Sequence, residues 1–159
     1  MQTSVISSSG GLGRDRRHMR QLRAGLLVLA ATALLPGVWG TLWPRSFFDD
    51  FPGAGNAWVA AFPPYNEHLV RDVGSFYLGY GVLLLGAAFV ARRRLVQVAL
   101  VAWFVATVPH AVFHLRHLDE LPGSHAFLQT GVFAVMTLLP LWLLVLTVRM
   151  PWRTWSQTR

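Results

Sequence analysis

Cysteine is absent from this chain of 159 residues, and so is lysine. Without cysteine there is no disulfide, thiolate metal site, iron–sulfur cluster or thiol redox chemistry. All 14 basic side chains are arginine. We read that bias as the codon usage of a GC-rich genome, since no pattern in the chain needs guanidinium over ammonium. Charge is scarce as well: 13% of residues are charged and 53% apolar, whereas soluble domains carry about a quarter charged. The deficit is uneven. Long charge-free runs alternate with short charged clusters, as expected where lipid is the apolar solvent. Motifs of soluble catalysis are missing too, with no G-x-S-x-G, P-loop or dinucleotide fingerprint; Gly10-Gly11-Leu12-Gly13 follows no strand and reads as a linker.

What is present predicts an all-α, integral membrane four-helix bundle. Residues 1–23 read as a disordered, basic cytoplasmic tail (Arg14, Arg16, Arg17, Arg20, Arg23) lying against anionic headgroups. The transmembrane domain covers 24–148, with spans at about 24–43, 68–91, 95–117 and 125–148. Each is long enough for a hydrocarbon core of about 30 Å at about 1.5 Å per residue. Pro36, Pro109 and Pro140 fall inside spans as kink positions. The loop 44–66, rich in proline and aromatics, reads as an ordered outer segment on the membrane surface, with a short interfacial helix at Ala57–Phe62. Asn66 suits the N-cap of the second span, and Pro122-Gly123 a tight turn before the fourth. Residues 149–159 form a cytoplasmic tail in which Trp152 and Trp155 mark the interface.

Arginine sets the orientation. With the N-terminus in the cytoplasm, eleven of the 14 arginines fall inside and six of the seven acids outside, which places both termini in the cytoplasm of a bacterial inner membrane. The same topology accounts for the pI near 11.5 without nucleic acid, because the arginines flank apolar spans and form no reading helix. A basic region, an apolar stretch and Val38-x-Gly40 also have the form of a signal peptide, but about twenty apolar residues exceed the usual apolar region of one.

Five of the six histidines fall on the outer side. His110, His114 and His117 are spaced i, i+4, i+7 and lie within about 60° on one helix face. On the second span His68, Asp72, Ser75, Gly79 and Gly86 share a face, and Ser75-x-x-x-Gly79 reads as a helix–helix contact. Glu67 and Arg71 form an i, i+4 pair beside them. Both stripes sit at one depth, so a carboxylate and several imidazoles are expected to converge. Such a group suits a transition metal (Zn, Fe or Cu) or, through two imidazoles, haem. A purely structural polar cluster and a proton relay without metal stay open as readings. Desaturase-type di-iron enzymes need several histidine boxes, and one is present here.

The run Asn66…Arg71-Asp72-Val73-Gly74-Ser75-Phe76-Tyr77-Leu78-Gly79-Tyr80-Gly81 resembles the second-helix region of small bacterial four-helix membrane proteins described as DoxX-like. Their Arg-x-x-Gly-x-x-Tyr/Phe-Leu-x-x-Gly pattern leads the second helix. The resemblance implies four spans with a loop after the first, and a link to quinone-dependent oxidation; it implies no site residues. Two functions are therefore expected to compete. One is an accessory or ligand-binding component of the cell envelope, in contact with the lipid bilayer and with a membrane-protein partner or a second copy as a homo-oligomer. The other is a metal- or haem-binding, quinone-linked oxidoreductase built on His68, Asp72, His110, His114 and His117. Lipid or quinone binding in an outer-leaflet groove beneath the 44–66 loop is compatible with both. A solute transporter ranks below them, because four helices line a pathway only as an oligomer.

Overall fold

The computed structural model describes residues 6–151 and 155, with side chains from residue 13 onward. In order these form α1 (Ile6–Leu42), α2 (Pro44–Asp50), α3 (Glu67–Val90), α4 (Arg93–Leu115), a short 3-10 turn (Leu118–Glu120) and α5 (Gly123–Arg149), with no strand among the described residues. Four helical stretches, Gly13–Leu42, Glu67–Val90, Arg93–Leu115 and Gly123–Arg149, are long and apolar enough to cross a membrane. Large apolar side chains such as Leu35, Phe76, Val82, Phe89, Val105, Phe127 and Leu138 are exposed around them. So much apolar surface is a liability in water and fits a multi-pass membrane protein.

Helix α1 starts far earlier than expected. A disordered tail over residues 1–23 is replaced by helix from Ile6, while residues 1–5 lie outside the described residues. From Met19 onward the cause is a buried face at helical spacing. Met19, Leu22, Leu26 and Leu29 are buried, while Arg14, Arg16, Arg17, Arg20 and Arg23 are exposed on the same turns. An apolar stripe of this kind holds a helix through a basic stretch. At the other terminus, Met150 and Trp155 belong to the same buried cluster as Met19 and Leu22. Of the expected tail, 149–159, Met150 and Trp155 are therefore packed into the bundle, Arg149 and Pro151 are exposed, and Trp152 lies outside the described residues.

The connection after α1 also differs from expectation. Its helix is Pro44–Asp50, not Ala57–Phe62. Pro44 takes the first helical position, where a missing N–H costs nothing. Arg45 Nε donates to Asp49 Oδ2 at 2.6 Å and Ser46 Oγ donates to Asp50 Oδ2 at 3.1 Å, both one turn apart. Ala57 has a φ of +51°, a left-handed conformation that an α-helix does not admit. Asn66 caps α3 as expected, its Oδ1 accepting from the Leu69 N–H at 3.1 Å.

Helices α1 and α3 form the most extensive pair, and α4 with α5 the next. The α1–α3 contact is set by glycine. A Cβ on Gly74 would lie 2.6 Å from the Thr41 nitrogen, and one on Gly37 would lie 2.8 Å from the Leu78 nitrogen. The contact face of α3 therefore runs through Val70, Gly74, Gly81, Leu84 and Ala88, all of them buried. The expected stripe through Ser75 and Gly79 points elsewhere, and neither Gly79 nor Gly86 has a neighbour within 4 Å of its Cβ position.

The two pairs join in the half of the bundle nearer the Arg92–Arg94 turn. Tyr80 on α3 donates its hydroxyl proton to the Ala102 carbonyl of α4 at 2.9 Å, its ring edge-on to Trp103 at 5.9 Å. Leu143 of α5 fits over Gly25 of α1. Leu22, Leu26, Leu29, Leu84, Val96, Leu100 and Leu143 fill this half and are fully buried. The half nearer α2 is not filled.

Candidate functional site

Where the pairs diverge they leave a cavity of about 1000 Å³, at the upper end of small-molecule sites, which run to roughly 1,000 Å³, and open along a flank where its lining residues Leu35, Trp43 and Leu69 are exposed. All four long helices contribute walls: Leu35 and Trp39 from α1, Val73 and Tyr77 from α3, His110 and His114 from α4, Gln129 and Phe133 from α5. The α2 segment supplies the roof. Trp58 and Phe62 also line it, and no arginine, aspartate or glutamate does.

The roof is an aromatic chain. Trp39 meets Phe47 at 6.0 Å, Phe47 meets Phe51 at 4.8 Å, and Phe51 meets Trp58 at 6.3 Å. Trp58 N–H donates to the Phe51 carbonyl at 2.7 Å, which folds the segment back on itself. At its far side Phe62 lodges between Phe113 and His114, each at 5.4 Å, and reaches His117 at 6.0 Å. The segment thus bridges from α1 to α4 across the cavity mouth. Its outer face is held by Arg45, whose guanidinium pairs with Asp49 and lies 5.0 Å from the Tyr65 ring centre. The hydrogen bond and charge of Asp49 raise the Arg45 pKa above its ordinary value.

The candidate residues divide into two groups. His110 and His114 come together, ring centres 4.7 Å apart, with Phe133 of α5 against both at 5.2 and 5.1 Å. His117 stacks on Phe113 at 4.4 Å, and its Nδ1 lies 2.7 Å from the Phe113 carbonyl oxygen. His68 and Asp72 instead contact each other at 3.3 Å, with side chains 86% and 51% exposed. Glu67 and Arg71 form their predicted pair at 2.9 Å, and Arg71 also donates to the Thr41 carbonyl. The expected convergence of His68 and Asp72 with the α4 histidines is not found, and no three His, Asp or Glu among the described residues are placed to hold one metal ion. The physical reason is the rotation of α3. Packing Gly74 and Gly81 against α1 turns His68 and Asp72 outward.

That exposure carries its own prediction. His68→Ala and Asp72→Ala should each change bundle stability by no more than about 0.5 kcal/mol, because an exposed pair loses to solvent most of what it gains. Thermal unfolding in detergent measures this. A loss of several kcal/mol from either variant would place the pair in a buried contact.

Thr32, Asn66, Tyr77, Gln129 and Trp58 bring polar groups to the lining from outside the histidine stripe. Gln129 is only 2% exposed, and its Oε1 has no hydrogen-bond partner. The Trp58 indole nitrogen and His114 Nδ1 are buried and unpartnered as well. Leaving such a group unpaired costs about 1–3 kcal/mol, and all three atoms are closed off from the cavity space as well as from the exterior. Gln129 was legible as the one amide of the Ala126–Val148 run, whose other polar side chains are Thr130, Thr137 and Thr147; intramembrane polar groups of this kind are rare. Trp58 was not, since nothing in the loop sequence says which aromatic folds inward.

No family model matches the chain, and neither a curated protein nor a solved structure is significantly similar to it.

Proposed function

We propose that this is a multi-pass protein of the bacterial inner membrane, both termini cytoplasmic, which binds an apolar small molecule in the outer-leaflet half of its bundle as a ligand-binding component of the envelope. The observation that carries this reading is the cavity itself. One half of the bundle is packed to completion and the other holds about 1000 Å³ walled by aromatics. The size and apolar lining of the cavity suit a small hydrophobic molecule. The arginine asymmetry supports the orientation, because it puts the roof on the face away from the basic termini. His110 and His114 on α4 serve here as part of the wall.

Extraction of the purified full chain tests the reading. After exhaustive washing in detergent, one apolar molecule should remain at near one per chain, detected by mass spectrometry of an organic extract. Val132→Trp, which places an indole in the lining, should lose it while keeping the wild-type helical circular dichroism spectrum. Equal, non-stoichiometric lipid in both proteins would sink the proposal.

A further inference from the structure

The cavity lacks a wall at the depth of the lipid chains. We infer that its occupant is an acyl chain of a bilayer phospholipid, which enters sideways from the outer leaflet while its headgroup stays at the membrane surface. This deepens the function proposed above and rests on it.

Depth decides what reaches the opening. Leu35, Val73 and Val132 line the cavity and are exposed. At about 1.5 Å per residue they lie roughly 10 Å below the outer ends of their helices at Leu42, Glu67 and Gly123. In a hydrocarbon core about 30 Å thick, the surroundings at that level are acyl chains and not water. Above it the α2 segment closes the approach from the aqueous side, with Phe48 and Trp58 buried and Phe62 lodged against α4. A solute arriving from water has to displace this roof, whereas a chain in the leaflet has only to turn inward. Trp43 and Leu69, exposed lining residues beside the outer ends of α1 and α3, carry the opening up to the interface. A chain inside therefore stays joined to a headgroup outside.

The lining selects the chain and rejects the headgroup. No arginine, aspartate or glutamate lines the cavity, so a charged group taken inside would lose its water without gaining a partner. Most polar side chains of the lining are engaged or closed off. The Thr32 hydroxyl donates to the Leu29 carbonyl at 2.8 Å, and Asn66 Oδ1 caps α3. Gln129 Oε1, the Trp58 indole nitrogen and His114 Nδ1 are shut away from the cavity space. What is left, chiefly the Tyr77 hydroxyl and the α4 imidazole edges, is too sparse to replace the hydration of a headgroup. Hydrocarbon needs no such replacement. At the rim the surface changes: Arg71 with Glu67, and Asp72 beside His68, are exposed on the turns of α3 that carry Leu69 and Val73. Charges of both signs there suit a zwitterionic headgroup. Phospholipid is also the most concentrated apolar-chained molecule at the opening, and between ligands of like affinity occupancy follows concentration.

A phosphatidylcholine carrying a diazirine midway along one acyl chain tests this in nanodiscs that hold the full chain. Illumination makes a carbene that inserts into whatever touches it, and peptide mass spectrometry locates the adducts. The surrounding bilayer should label Val105 and Leu138, exposed apolar residues outside the lining. A chain in the cavity adds labels on Tyr77, Phe133 and Met136, which line it; Phe133 and Met136 are buried and out of reach of the bilayer around the bundle. In Val132→Trp these inner labels should be lost while those on Val105 and Leu138 persist, and Val73→Trp should act in the same direction. Inner labels that survive both substitutions would mean another route and overturn the inference. If only the outer residues are labelled and the washed protein still yields one other apolar molecule per chain, the phospholipid inference is overturned and the cavity reading stands. If the outer labels stand alone and the extract holds nothing stoichiometric, both fall.

Discussion

Gly74→Ala is expected to destabilise the bundle by roughly 3 kcal/mol, the largest effect of any single methyl in the chain. The added carbon would lie 2.6 Å from the Thr41 nitrogen and 2.9 Å from the Gly40 carbonyl carbon. Both are backbone atoms of α1, and no rotamer change relieves the clash. The helices must separate, and the pair they form is the most extensive in the molecule. Gly37→Ala meets the Leu78 nitrogen at 2.8 Å and should follow closely. Gly25→Ala should cost less, since its neighbours are the methyl ends of Leu143, which can swing aside. Gly79→Ala and Gly86→Ala have open space and should stay within about 0.5 kcal/mol of wild type. Thermal midpoints of the five variants in one detergent rank them. Gly79→Ala as damaging as Gly74→Ala would mean that α3 presents the Ser75 face after all.

The same contact explains what a reader of the sequence sees and misses. Four apolar runs bounded by arginine or proline announce the spans, because lipid leaves no other use for so many uncharged side chains. The Asn66 cap and the Glu67–Arg71 pair are local and equally legible. The rotation of α3 is not. A stripe read at 100° per residue contains Ser75 and Gly79 as plausibly as it contains Gly74 and Gly81, and only the partner helix decides between them. That choice is worth one position, and it moved His68 and Asp72 out of the site. In the run Arg71–Gly81 the first and last glycines are the ones that meet α1, Gly74 at its backbone and Gly81 at Leu34. They belong to a packing face.

The helical start of α1 was hidden for a related reason. Glycine, serine and arginine dominate residues 7–17, a composition typical of disorder, and the deciding residues are the two apolar ones that follow, Met19 and Leu22. Their burial against Met150 and Trp155 depends on where the last helix ends. The roof posed the hardest case. Proline and aromatics predicted an ordered loop at the surface, yet Phe62 fills a gap between Phe113, His114 and His117 that exists only once α4 is placed.

Gln129→Leu should raise the stability of the protein by about 1–3 kcal/mol, the cost of its unpaired carboxamide oxygen. A buried polar residue that serves the fold behaves the other way, and Thr147 shows how: its hydroxyl donates to the Leu144 carbonyl at 2.7 Å and accepts from Gln97 at 3.0 Å, so Thr147→Val should strand the Gln97 amide and destabilise. Gln129 has no such partner on Oε1, and its neighbours on α5 are Val132 and Phe133, side chains that would pack as well against leucine. Exchanging an unsatisfied polar group for an apolar one of similar size stabilises. Thermal unfolding of the purified protein in detergent measures the sign. A Gln129→Leu protein that melts lower than wild type would show that the carboxamide already has its partner within the bundle.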